Sequence, residues 1–377
     1  MIGILYPRSI LLRLIQGKYS FERPSFYLDA AIQSGEEVIF FSLLDINWRE
    51  GVVLGWNGKD RTRMRRQLPS VIINRTRTNH AYTKKRIHRL KQAGSLIFNE
   101  RSVVSKLKIH RILSQNPKLL PYLPTTELVT RDSVKDLLAR NTSLFLKPST
   151  ASIGNGIIRI SRLSDDTIAE INVLGRTKRK KISIKKIVKM VQRKRRDYLV
   201  QQGISLMTYK GNPVDFRVSI QKDGRGCWQY SGMVGKVAKK GAIVTNLHCG
   251  GHSLKAADLF KHWGWNGPQI EREVAELGLS IAETLDHNLP HIADLGLDIA
   301  LDECQHPWFI EANFRDLRVT FRQAGEKEKW RGTFVTPLYY AAYLNKQIKG
   351  QDKTKLKKQD ELAGAVTVSN LLGVDNL

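Results

Sequence analysis

The sequence predicts a mixed α/β (α+β) fold divided among two or three domains. Three observations predict it. Short apolar runs of strand length, such as EEVIFFSLL, GVVLGW and PSVIIN, recur between polar and basic stretches. Apolar residues at 270, 274, 277, 281 and 285 have the spacing of one helical face. In the stretch beginning PVDFRVSIQKDGRG, Phe216, Val218 and Ile220 alternate with polar residues up to the turn pair Asp223-Gly224, the pattern of an antiparallel hairpin. A chain of 377 residues with 41% hydrophobic content is long enough to bury more than one core.

Composition narrows the class of protein. No stretch holds 18 consecutive apolar residues, and MIGILYPRSILLRLI is interrupted by Pro7, Arg8 and Arg13, so neither a membrane span nor a secretory signal is expected. The expected location is the cytoplasm. Cys227, Cys249 and Cys304 are widely spaced without a CxxC pair, which argues against a zinc site or disulfide framework. The 62 Lys and Arg against 35 Asp and Glu give a formal charge of +27, a surface that attracts polyanions without selecting among nucleic acid, acidic polymers and acidic proteins.

Residues 1 to about 100 read as a small α/β unit, with a strand ending near Asn74 and a solvated basic helix over Lys84 to Lys91. A helix follows Arg101, with Val104, Leu107, Ile112 and Leu113 on one face and Lys106 and Lys108 on the same segment. YLPTTELVT predicts a turn into a strand and SVKDLLAR a short helix. LFLKPSTASIGNGIIRI reads as two strands joined by a loop of small residues, in which Gly154 and Gly156 permit close backbone approach to an anion and Ser149, Thr150 and Ser152 add hydroxyl donors. An ordinary hairpin turn and a phosphate-covering loop both fit these residues. Lys147 ends the first of the two strands. The loop has no GK[ST] ending and leads into a strand, so neither the P-loop nor the Rossmann fingerprint applies.

Residues 176 to 196 hold twelve basic and no acidic residues, with a helical apolar stripe at Ile184, Ile187, Val188 and Val191. A docked helix with a solvated face, a docking surface for an acidic polymer or nucleic acid, and a membrane-surface helix all fit this run. Beyond the hairpin, TNLHCGG places Asn246 and His248 beside two glycines. TPLYYAAYLNK reads as a last helix, and a polar, poorly ordered tail is expected over 346–377.

The most informative stretch is FIEANFRD, Phe309 to Asp316. Glu311 and Asn313 lie two residues apart in a strand-like run and so share a face. Asp298, in ADLGLDIAL, is a further carboxylate in an apolar segment. Such hard oxygen donors suit Mg²⁺, which takes one or two carboxylates from protein and the rest from water and phosphates.

In order, LFLKPSTASIGNGIIRI, YLVQQGI, VDFRVSI, TNLHCGG, GLDIAL and FIEAN resemble the motifs of the ATP-grasp superfamily, especially the ribosomal-protein glutamate ligase branch. LPSVIINRTRT, GSLIFNERSVVSKLKIHRIL and YLPTTELV resemble the YheC/YheD family of endospore coat-associated proteins, which carry this module. The resemblance implies an ATP-grasp fold in which two subdomains grip ATP, over 101–345, with a lid at about 120–197 and a C-terminal catalytic subdomain at about 198–345, preceded by the α/β domain of residues 1–100. By that likeness Lys106 and Lys147 contact the phosphates, the loop with Ser149, Ser152, Gly154 and Gly156 closes over them, and Gln202 and Gly203 lie at the adenine. Asp298, Glu311 and Asn313 hold Mg²⁺, Arg217 and Lys236 meet the γ-phosphate or an acyl phosphate, and Asn246, Gly250 and Gly251 lie at the acceptor side.

The resemblance also implies a function: a carboxylate is activated by ATP as an acyl phosphate and attacked by an amine, in the mother cell, on an acidic peptide or spore-envelope substrate, with other coat proteins as further partners. A coat-associated structural protein that binds ATP without turnover is the alternative. Nucleic acid is not expected as the primary partner, because no aromatic-rich surface accompanies the basic run. Where the ligases continue past Glu-x-Asn with a small residue, Pro and Gly, this chain has FRDLR, Phe314 to Arg318, placing two arginines beside the expected metal ligands.

Overall fold

The computed structural model describes residues 1–371 except 20, 79, 151–155, 164–165, 174–175 and 195–196, with backbone alone beyond 350. Three sheets organise these residues. The first contains β1 (Ile2–Leu5), β2 (Val38–Phe41), β3 (Ile46–Asn47), β4 (Val52–Trp56), β5 (Arg63–Gln67), β6 (Val71–Asn74) and β7 (Leu96–Phe98), in the order β3-β4-β2-β1-β6-β7 with β5 beside β4. β1, β2 and β6 are buried at every position and pair in parallel, as continuous apolar runs do when helices cover both faces of a sheet. On one face lie α1 (Arg8–Ile15) and α2 (Pro24–Ser34); Ile87 and Leu90 of α3 (Ala81–Gln92) enter a second cluster with Leu5, Ile39 and Ile72.

The middle sheet follows α4 (Lys106–Leu113) and runs β12-β11-β10-β9-β13-β8. Its strands are β8 (Thr126–Leu128), β9 (Ser143–Pro148), β10 (Ile158–Leu163), β11 (Asp166–Val173), β12 (Arg176–Lys181) and β13 (Tyr198–Gln202). One face packs on α5 (Arg131–Arg140) and α6 (Ile184–Gln192) through Val134, Leu137, Ile187, Val188 and Val191. Two local expectations change here. YLVQQ belongs to this sheet, between β9 and β8, so the sheet continues past residue 197. The basic run is helical only from Ile184; its first six residues form the edge strand β12, paired through its whole length with β11.

The third sheet contains β14 (Thr208–Tyr209), β15 (Asn212–Lys222), β16 (Trp228–Val237), β17 (His252–Lys255), β18 (Asp294–Leu301) and β19 (Pro307–Asn313), with the path β17-β16-β15-β18-β19. Phe216, Val218 and Ile220 are fully buried with Ile270, Val274, Leu277, Ile281 and Leu285 of α8 (Gly267–Asn288), which lies behind the sheet as the periodicity predicts. α7 (Ala256–Trp263) precedes α8, and the chain ends with α9 (Val319–Gln323) and α10 (Lys327–Leu371). α10 runs past Gly350, where the sequence suggested a poorly ordered tail. Its first part enters the core of the first domain: Phe334, Leu338, Tyr340 and Ala341 cluster with Ile2, Ile4, Tyr27 and Phe40. The N-terminal domain is therefore completed by residues of α10.

Buried polar groups fasten the first domain to the third sheet. Asn99, next to β7, donates from Nδ2 to the carbonyls of Asp294 (2.6 Å) and Phe314 (2.9 Å), while its Oδ1 accepts from the amides of Ala293 and Asp294. Arg75, after β6, donates to Glu22 Oε1 at 2.7 Å and to the carbonyl of Asp316 at 2.7 Å, with Asp294 at 3.5 Å. Arg318 reaches the same Asp294 at 2.5 Å and Tyr27 Oη at 2.8 Å, and its guanidinium lies over the Phe334 ring. Removing a cation from such a network leaves buried carboxylates uncompensated. Arg75→Met is expected to cost about 3–5 kcal/mol, read as a fall in the thermal unfolding midpoint; an unchanged midpoint would count against a stabilising role for the network.

Candidate active site

The carboxylates converge because strand register brings them together. Arg217 of β15 stands opposite Asp298 of β18, which stands opposite Glu311 of β19; Asp215 stands opposite Lys236, and Gly296 opposite Asn313. These residues occupy the face opposite Phe216, Val218 and Ile220, as alternation requires. A register shift at Ile310 follows the Asp298–Glu311 pair, and Ile310 and Glu311 both line the cleft, the re-aiming a β-bulge produces.

Each charge has a partner. Arg217 Nε donates to Asp298 Oδ1 at 2.8 Å, and its Nη1 to Asp316 Oδ1 at 2.7 Å. Lys236 Nζ lies 2.9 Å from Asp298 Oδ2 and 3.1 Å from Asp215 Oδ1. Burial pushes Asp215 up and Asp298 adds to the push, against the pull of Lys236. Burial opposes the charge on Lys236, yet Asp215 and Asp298 hold it above its ordinary value. Asp316 was not singled out in the sequence; it also accepts from Ser219 Oγ at 2.6 Å. A Cβ on Gly296 would stand 2.8 Å from the Asp316 carboxyl carbon, so that glycine leaves the space Asp316 fills.

Lys106 opens α4 and forms a salt bridge with Glu311 Oε2 across the cleft. Burial alone would raise the Glu311 carboxyl; Lys106, with Lys236 and Arg217 behind it, holds it far below the carboxylate range. Asn313 Nδ2 lies 3.4 Å from Glu311 Oε1. Lys108, on the same helix, is exposed. Ser105 caps α4 and shares a 2.9 Å hydroxyl contact with the buried Ser149, while the Lys106 amide donates to the Ser149 carbonyl, so the start of α4 is tied to the end of β9. Lys147 reaches in from β9, its Nζ 2.5 Å from Gln201 Oε1 and over the Phe145 ring. Burial, then Lys106, lowers Lys147 to about 8. Gln201, another residue the sequence did not single out, donates onward to Thr126 Oγ1 at 2.9 Å.

The cleft has two parts that share Lys106, Lys236, Asn246, Asp298 and Glu311. One, about 980 Å³ counted out to open solvent, lies between the middle and third sheets and has apolar walls from Ile157, Ile204, Leu206, Val244 and Ile310. The other, about 1440 Å³ on the same measure, reaches the first domain at Phe21 and Arg77. Asp298, Glu311 and Asn313 thus offer two carboxylates and an amide at the join, donors suited to Mg²⁺. Among the described residues no three His, Cys, Asp or Glu side chains gather as a metal site, and a cation binding here would compete with Lys106 for Glu311. The donor set fits on that exchange.

Other sequence candidates have different places. Gln202 lines the apolar part, but its backbone N–H donates to the Thr125 carbonyl and its side-chain Oε1 accepts from the Thr125 backbone N–H, and the Gly203 backbone N–H donates to the Ser143 carbonyl. A Cβ on Gly203 would lie 2.2 Å from Ser143 Oγ, so close packing accounts for this glycine. Asn246 lines both parts while its side chain caps the turn at His248. Gly250 (φ +88°) and Gly251, where a Cβ would stand 2.8 Å from the Val237 carbonyl oxygen, shape the turn behind Asn246. Gly156 turns into β10 with its carbonyl accepting from Tyr198 Oη at 3.2 Å; Ser152 and Gly154 lie outside the described residues. In FRDLR, Phe314 is in the core and Arg318 is fully buried among first-domain contacts, so of the two arginines Arg315 lines the cleft. Burial, then Arg75, lowers Arg315 to about 10.

The family model described as YheC/D like ATP-grasp matches residues 94–344, well over half of the chain. This chain belongs to the YheC/D-like ATP-grasp family. The endospore coat-associated protein YheD of Bacillus subtilis (strain 168) is 24% identical over 336 residues, covering 84% of this chain and 72% of its own length. The endospore coat-associated protein YheC of the same organism is 24% identical over 266 residues, covering 68% of this chain and 71% of its own. Two solved structures share the fold at 12% identity: D-cycloserine synthetase DcsG (TM-score 0.52, 92% of this chain and 99% of that one) and D-alanyl-alanine synthetase A from Vibrio cholerae (TM-score 0.50, 91% and 98%). The YheC/D-like match begins within the first domain, just before β7, and ends in α10.

The lowered Lys147 gives a pH test. Below pH 8 its ammonium is already formed; above that, holding an anion requires proton uptake, because a bound anion raises the lysine's pKa. Affinity for inorganic triphosphate, measured by calorimetry, is expected to fall as pH rises above about 8, by up to roughly tenfold per unit for one linked proton. Lys147→Met should flatten this dependence, and an unchanged slope would remove Lys147 from the anion site.

Proposed function

We propose that this YheC/D-like chain is an ATP-dependent carboxylate–amine ligase of the endospore coat. The observation that carries the reading is the meeting of Lys106, Lys147, Arg217 and Lys236 with Asp298 and Glu311, where an apolar pocket opens into a polar one. Joining a carboxylate to a triphosphate brings anions together, and fixed cations offset that repulsion.

In this reading the adenine occupies the apolar part, between Ile157 and Ile310, with its phosphates toward Lys147 and Lys106. A substrate carboxylate oxygen attacks the γ-phosphorus near Arg217 and Lys236, and the bond from that phosphorus to the bridging oxygen breaks as ADP leaves. An amine then attacks the acyl carbon, inorganic phosphate departs, and the ammonium proton passes to solvent. Asp298, Glu311 and Asn313 would hold Mg²⁺, which would supply further neutralisation at the phosphates. Lys106 pairs with Glu311 in the free protein and, from the same edge of the cleft, would offer its charge to a phosphate. In this reading the protein works in the mother cell and is then placed at the coat; the relatives' names support the coat association, and the +27 charge suits an acidic peptide or spore-envelope substrate.

One observation favours the second reading, an ATP-binding coat component without turnover: both carboxylate oxygens of Asp298 are already held by Arg217 and Lys236. Turnover decides between the two. With ATP, Mg²⁺ and acidic peptides or spore-envelope precursors, the ligase should release ADP and phosphate together, and Glu311→Gln should lower that rate by at least about a hundredfold. Nucleotide binding without ADP release across such substrates would favour the structural reading. Lys147→Ala is expected to weaken ATP binding more than truncation after Gly350 does; equal affinity in variant and parent would refute its assignment.

A further inference from the structure

Among the described residues, the larger part of the cleft contains an arginine with no salt bridge. Of the arginines around it, Arg217 is neutralised by Asp298 and Asp316, Arg75 by Glu22, and Arg318 by Asp294. Arg315, one residue from Asp316 and two from Asn313, is half-buried and lines the cavity. Among the described residues it has no hydrogen bond, ion pair or ring partner. The same cavity is lined by Arg77, Ser102 and Asn313, by the carboxylates Asp298 and Glu311, and by apolar surface from Phe21 and Leu317. Glu22 acts on Arg315 only through space, without a salt bridge, while Arg75 and Arg77 repel it; an arginine held half out of water in that setting is unfavourable unless a paired anion completes it.

We propose that Arg315 is the anchor of an anion subsite that takes a second carboxylate of the substrate, so that the acid activated near Arg217 and Lys236 belongs to a dicarboxylic compound or an acidic peptide. A guanidinium presents paired donors in a plane that matches a carboxylate. The smaller, apolar part of the cleft lies beyond Lys106 and Glu311, so the two ends divide the work: one takes an apolar ring, the other an anion. Phe21 and Arg77 come from the first domain, which makes that domain a wall of the substrate pocket. That the anion is part of the substrate rests on the ligase reading; that Arg315 binds a carboxylate does not.

The test measures binding, without turnover, in the presence of Mg²⁺ and a non-hydrolysable ATP analogue. Glutarate, adipate and the monoacid butyrate are titrated against the parent protein, Arg315→Gln and Arg315→Lys. One diacid should bind the parent roughly tenfold to a hundredfold more tightly than butyrate, the range of one charge-assisted hydrogen-bonded pair. Arg315→Gln should abolish that preference with nucleotide affinity unchanged, and Arg315→Lys should keep part of it, which separates loss of the charge from loss of the fold. No diacid preference in the parent, or the same preference in Arg315→Gln, overturns the proposal. A preference that depends on Arg315 in a protein that forms no ADP would keep the subsite and reject the ligase reading; ADP formation with no such preference would do the reverse.

Discussion

Asp294, Asp298 and Asp316 lie almost wholly out of water on the polar face and flank of one sheet, and each is held by one or more of the cations nearest it. Arg217 bridges Asp298 to Asp316, Lys236 bridges Asp298 to Asp215, and Arg318 and Arg75 both serve Asp294. A buried carboxylate without such partners would take up a proton or unfold its surroundings. The position of the first domain, the path of the loop after β19 and the orientation of Arg217 therefore depend on the same requirement.

That requirement sorts the basic residues of the cleft into two kinds. Those on the third sheet are locked between acids, and their geometry is fixed before any ligand arrives. Lys147, on the middle sheet, has the neutral Gln201 as its hydrogen-bond partner, and Lys106 has one exchangeable carboxylate. A cleft with a preset floor and adaptable cations above it suits an anionic ligand entering between two sheets, since little reorganisation is left for the moment of binding.

The basic surfaces outside the cleft obey another logic. On β5 of the first domain, Arg63, Arg65 and Arg66 each meet a carboxylate, from Asp45, Glu50 and Glu37. On β12 and α6, Lys178, Arg179, Lys180, Lys185, Lys186 and Lys189 make no ion pair among the described residues. β12 is the outer strand of its sheet, and a row of unneutralised charge on an outer strand discourages another strand from pairing with it.

Much of the site was legible in the sequence because strands encode faces by alternation. Glu311 with Asn313, the apolar set of Phe216, Val218 and Ile220, and the α8 stripe follow from spacings of two residues or of one helical turn. Motif order supplied Lys106 and Lys147, which no local pattern separates from other lysines; Lys108 is two residues away and exposed. Which strands are neighbours is a long-range matter, so the opposition of Arg217, Asp298 and Glu311 and the entry of Asp316 were decided by tertiary register. FRDLR shows the division most clearly. The sequence placed two arginines beside the expected metal ligands, but Arg318 adopts a left-handed backbone conformation at the start of α9 and turns into the first domain, while Arg315 remains in the cleft. Local sequence determines which face a side chain takes; what stands opposite that face, and whether a charge there finds a partner, is settled when distant segments pack.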